Sequence, residues 1–105
     1  MKKVKTKQSR NRQRGKECER EVAKIFNGKR IGILGDEDIL HPVYSIEVKS
    51  RKKFSGRKWM EQCKKNNKDN KIPIVVVHEA NKPHNTDLVL INVNDFLEVN
   101  DALLK

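Results

Sequence analysis

The chain has 105 residues and a mass of 12.2 kDa, room for one small domain. It carries 24 Lys+Arg against 14 Asp+Glu, a net charge of +10, and that excess is concentrated. Residues 1–16 hold eight cations and no acid, residues 49–71 hold ten cations and two acids, and the blocks between and after them are mildly acidic. Leu, Ile, Val and Phe make up 28 residues, enough for a modest core that a dimer would help to stabilise. No run reaches the roughly 18 apolar residues of a membrane span, and no apolar signal segment follows the basic start. Two cysteines without a CxxC partner, Cys18 and Cys63, suit a reducing, cytoplasmic setting better than a stapled secreted scaffold.

Residues 1–14 show no periodicity and read as a flexible basic arm, with residues 15–105 as a single domain. From Gly15, Cys18, Val22, Ile25 and Phe26 recur at helical spacing, and Asn27-Gly28 supplies a stop. Asp38–Leu40 and Val43–Lys49 read as a hairpin turning at His41-Pro42. Residues 55–70 form a polar helix with Trp59, Met60 and Cys63 on one face and Ser55 as its cap. Ile72–Glu79 is the strongest strand, Thr86–Val93 another, and Asp95–Leu104 a closing helix with Phe96, Val99, Leu103 and Leu104 facing inward. The order predicts a small α/β domain with a central mixed β-sheet flanked by helices.

The chemistry concentrates in Ser45-Ile46-Glu47-Val48-Lys49. On a period-2 strand Glu47 and Lys49 share one face, and charges inside a central strand are costly unless paired or metal-bound. Asp38 comes close to Glu47 if the chain reverses at His41-Pro42. Neighbouring carboxylates are favourable mainly around a divalent cation, and Mg²⁺ takes oxygen ligands. Such an ion would activate water beside a phosphodiester. Lys49 would then hold developing negative charge or assist deprotonation of the nucleophile. The same two residues also read as an ordinary ion pair on a wet sheet face. Glu19 borders the apolar stripe of the first helix and could reach over the sheet. It also reads, with Glu17 and Glu21, as part of an outer face pairing with Lys16, Arg20 and Lys24.

Gly15-Lys16-Glu17-Cys18-Glu19-Arg20-Glu21-Val22, Asp38-Ile39-Leu40 and Ile46-Glu47-Val48-Lys49-Ser50 together resemble the PD-(D/E)xK nuclease superfamily, and within it the small archaeal and phage-type Holliday junction resolvases. The resemblance covers residues 14–49, and Gln62 resembles a glutamine of the family's following helix. Glu37 stands where the family usually has a proline, which leaves Asp36 as a rival for Asp38; Asp38 is preferred because apolar residues follow it as in a strand. The resemblance implies a restriction-endonuclease-like core and an endodeoxyribonuclease that cleaves four-way DNA junctions as a homodimer. It implies Glu19, Asp38 and Glu47 as ligands of Mg²⁺, with Mn²⁺ able to substitute. Lys49 and Gln62 would assist, and the products would be a 5′-phosphate and a 3′-hydroxyl. Related alternatives are a flap, nicking or repair endonuclease and a non-catalytic basic DNA-binding protein.

Branched or duplex DNA would meet Arg10, Arg12, Arg14 and Lys16 of the arm. Beyond the active strand it would meet Arg51, Lys52, Lys53, Arg57, Lys58, Lys64 and Lys65. Lysines on phosphates give salt-dependent affinity without base readout, and with only five aromatics little is left for base stacking. His41, His78 and His84 share no ligand spacing with the cysteines, so no zinc site is expected. The compact size and lysine-rich ends would suit a phage gene acting in a host cytoplasm.

Overall fold

A computed structural model describes residues 7–31, 37–50 and 53–104. The elements are α1 (Lys7–Ile25), β1 (Lys29–Arg30), β2 (Ile39–Leu40), β3 (Tyr44–Ser50), α2 (Gly56–Asn66), β4 (Ile72–His78), β5 (Leu88–Ile91) and α3 (Val93–Leu104). A 3-10 turn, His84–Thr86, precedes β5. The sheet runs β1-β2-β3-β4-β5, antiparallel except for the central β3–β4 pair, which is parallel. That pair needs a crossover, and α2 supplies it. The architecture is thus a small α/β domain, a five-stranded mixed sheet flanked by three helices.

Residue parity decides which helix covers which face. Ile46, Ile74 and Val76 point to the α1 side and pack with Cys18, Val22, Ala23 and Ile39. Val75 points the other way, into Trp59, Met60 and Cys63 of α2. Ile46, Ile74, Val75 and Val76 are all at most 1% exposed, as expected for a parallel pair covered on both faces.

Helix α1 ends in the Asn27-Gly28 signal. Asn27 adopts φ 58°, its N–H donates to the Lys24 carbonyl, and the Gly28 N–H reaches back to the Ala23 carbonyl at 2.8 Å. A Cβ at Gly28 would lie 2.7 Å from both Ile39 Cγ2 and the Leu40 carbonyl oxygen, so glycine is needed where the chain turns under β2. At the hairpin, His41 Nδ1 accepts from the Val43 and Tyr44 N–H groups at 3.1 Å and holds the turn closed.

Four expectations change. Helix α1 runs back past Gly15 to Lys7, so residues 7–14 are helical rather than a flexible arm; no proline interrupts them, and Gln13 donates to Glu17 one turn on. Ile25, placed on the buried face by its spacing, is 55% exposed, and Ala23 is buried instead. Ser55 sits at the N-cap of α2 but its side chain makes no capping hydrogen bond. Helix α3 buries no residue: Phe96 is 54% exposed and Leu103 and Leu104 are 79% exposed. It follows the edge strand β5, where no further layer covers it among the described residues.

Candidate functional site

Strand β3 carries the charged pair. Glu47 and Lys49 lie on the α2 side, and the Lys49 ammonium is 3.0 Å from Glu47 Oε1. Both side chains are largely buried, Glu47 at 7% and Lys49 at 11% exposure. From α2, Gln62 Oε1 accepts a second hydrogen bond from Lys49 Nζ at 2.9 Å. The ion pair is therefore drawn into the fold instead of lying on a wet face. A buried pair of this kind is weak evidence for stability, because its desolvation offsets much of its attraction.

Asp38 completes the group. The β2–β3 register pairs Ile39 with Ile46, so the preceding residue, Asp38, falls opposite Glu47 on the same side of the sheet. The Asp38 N–H donates to the Ile46 carbonyl at 3.1 Å, and the Val48 N–H donates to Asp38 Oδ2 at 2.8 Å, bracketing Glu47 from both sides. Burial pushes the Asp38 carboxyl up to about 7, the Glu47 charge adds to the rise and Glu19 contributes less. The Val48 N–H and Lys49 oppose it without cancelling it. Beneath the site, burial first and then the Glu47 charge push the Cys63 thiol up to about 12. That thiol donates to the Ser45 and Ile74 carbonyls, so it packs and does not react.

Glu19 does not join this group by contact. It is half-buried on α1 and its Oε2 accepts from Arg30 Nε at 2.7 Å, a cation supplied by β1. The expectation of an Mg²⁺ ion (or Mn²⁺) held by Glu19, Asp38 and Glu47 is overturned here. Glu19 is engaged by Arg30, Glu47 by Lys49, and Asp38 by the backbone of β3. Among the described residues, the one group of three side chains whose ligand atoms all lie within 4.8 Å of one another is Cys18, His78 and His84. Sulfur and imidazole donors suit zinc, not a cation that prefers oxygen.

That group also corrects the expectation drawn from the spacing of the histidines. Cys18 comes from α1, His78 from the end of β4 and His84 from the 3-10 turn, so only the fold brings them together. Asp87 joins the histidines: its two oxygens meet Nδ1 of His78 at 2.7 Å and Nδ1 of His84 at 2.9 Å. The two rings stack with centroids 3.9 Å apart. Burial, then the nearby Asp87 and Glu19 charges, push the Cys18 thiol up to about 11.

Glu37 has a structural partner. It is buried and meets Lys71 Nζ at 3.3 Å, tying the entry to β2 to the start of β4. Lys71 is thereby withdrawn from the basic surface. Of the cations expected to meet DNA, those with described side chains, Arg10, Arg12, Arg14, Lys16, Lys53, Arg57, Lys58, Lys64 and Lys65, are all exposed. Asp36, Arg51 and Lys52 lie outside the described residues. No described helix is long and apolar enough to cross a membrane. Compared with protein-family models, with curated proteins and with solved structures, the chain matches none.

Proposed function

We propose that this chain is a structure-selective endodeoxyribonuclease with a restriction-endonuclease-like core, resembling the Holliday junction resolvases of the PD-(D/E)xK superfamily. One observation carries the reading: Asp38 faces Glu47 across two paired strands, beside a lysine held by Glu47 and Gln62. Perturbed carboxyls grouped with a paired lysine concentrate at functional sites.

In this reading the Asp38 carboxylate, with its pKa raised to about 7, accepts a proton from the attacking water near neutral pH. Oxygen–phosphorus bond formation then proceeds in line with departure of the 3′ oxygen, which takes a proton from solvent. The products are a 5′-phosphate and a 3′-hydroxyl. The Lys49 ammonium stabilises the charge that grows on the phosphoryl oxygens. Glu47 and Gln62 both hold the Lys49 ammonium in place. The exposed cations of α2 follow Lys49 in the chain and meet the phosphate backbone without reading bases. A homodimer suits the two equivalent strands of a four-way junction. The uncovered apolar residues of α3, with Leu88 at 66% and Val89 at 50% exposure on β5, support such a pairing.

The test offers labelled four-way, three-way, flap and linear DNA to the wild type and to Glu47→Gln, with and without a chelator. Paired symmetric cuts confined to the four-way junction, with Glu47→Gln binding but not cutting, are expected. Equal cutting of linear duplex would replace this reading with a flap or repair nuclease. Binding without cutting in every condition would leave a non-catalytic DNA-binding protein.

A further inference from the structure

We propose that Cys18, His78 and His84 bind a zinc ion, with Asp87 as the outer carboxylate that orients both imidazoles. The site lies on the opposite side of the sheet from Glu47 and Lys49. His78 has the same parity as Val76, which packs towards α1, whereas Glu47 and Lys49 have the parity of Val75. It therefore stands apart from the hydrolytic group and needs its own explanation.

Three observations converge. First, one sulfur and two imidazole donors from three separate elements lie within 4.8 Å of one another, close enough for small side-chain shifts to bring all three onto a single small cation. Second, Asp87 engages Nδ1 of both histidines, so Nε2 is the nitrogen each ring has left to offer. A carboxylate on the far nitrogen of a metal-binding histidine fixes the ring and raises its basicity, and here one carboxylate serves two rings. Third, the group is drawn into the fold rather than lying on the surface. The Asp87 side chain is 7% exposed and Cys18 is 6% exposed. The two imidazoles stack at 3.9 Å beside a thiol that also packs in the core under α1.

Zinc would convert these groups into a clip. The Cys18 thiol gives up its proton to solvent and binds as thiolate, both imidazoles bind neutral, and the fourth position is left for water. The bonds would join α1 to the end of β4 and to the 3-10 turn, tying the β4–β5 connection to the N-terminal helix. In a domain whose closing helix buries nothing, a cross-link of this kind adds stability that the small core lacks.

The experiment uses the full chain and zinc alone. After chelator treatment and removal of the chelator, one zinc per chain should rebind, and the thermal midpoint should rise with zinc concentration. Cobalt in place of zinc should give the near-ultraviolet thiolate-to-metal absorption, and Cys18→Ser should abolish it. Asp87→Asn should weaken zinc binding about 10- to 100-fold, and His84→Ala, which removes a ligand outright, by more. His41→Ala, in the hairpin turn, should leave it unchanged. His84 is 23% exposed, so its replacement keeps a folded protein even if Cys18→Ser does not. Absence of stoichiometric zinc, a cobalt complex without thiolate absorption, or affinity unaffected by His84→Ala would each overturn the assignment. So would loss of binding in His41→Ala. None of these readouts depends on DNA cleavage, so the zinc site and the nuclease reading fail or stand separately.

Discussion

Asp38→Asn should make the protein more stable at pH 8, and the size of the gain follows from the surroundings of this carboxyl. In the unfolded chain this carboxyl titrates near its ordinary 3.8; in the fold it is pushed up to about 7 by burial and by Glu47. A raised acid contributes its full stability below pH 3.8 and loses it as pH climbs through 7. The wild type therefore carries a growing penalty between those values, and a neutral asparagine carries none. At 1.36 kcal/mol per pH unit the gap has a ceiling of about 4 kcal/mol. Relaxation and partial hydration of the carboxylate reduce this to about 2 kcal/mol. Asparagine keeps an oxygen that accepts the Val48 N–H, so the bracket around Glu47 survives. Urea unfolding of both proteins at pH 4, 6 and 8, with unchanged slopes, reads the difference directly. The curves should nearly coincide at pH 4 and separate by about 2 kcal/mol at pH 8, about 10 °C in thermal midpoint for a domain of this size. An asparagine variant less stable than wild type at pH 8, or a gap independent of pH, would refute the reasoning.

Lys71→Ala should destabilise the fold by about 3 kcal/mol, because it leaves Glu37 buried without its cation. Adding Glu37→Gln should recover most of that loss in urea titrations, and a failure to recover it would show that Lys71 acts through packing alone. Replacing Arg57, Lys58, Lys64 and Lys65 by alanine should weaken DNA binding in proportion on every DNA shape. It should also reduce the slope of log affinity against log salt by about 3 if most of the four meet phosphates. Both effects are measurable by fluorescence anisotropy across a salt series, and an unchanged slope would place the DNA elsewhere.

Much of this molecule is written in local pattern. The apolar face of α2, the β-branched run of β4, the turn at His41-Pro42 and the Asn27-Gly28 stop each depend on residues within a few positions of one another. Parity alone put Glu47 and Lys49 on one side of β3, and the turn at His41-Pro42 brought Asp38 alongside Glu47. What the chain order left open was every contact between distant segments. Whether Glu19 stays free was decided by Arg30, which arrives on β1. That Glu37 serves as a strut was decided by Lys71, far along the chain. The Cys18, His78 and His84 group has no spacing to read, since its members come from a helix, a strand end and a turn. Helix α3 shows the opposite limit, because its apolar spacing is genuine but the sheet ends at β5 before reaching it. Local sequence sets periodicity and turn geometry through sterics and backbone hydrogen bonding. Which charges end up paired, and which donors converge, depends on the packing of whole elements across the sheet.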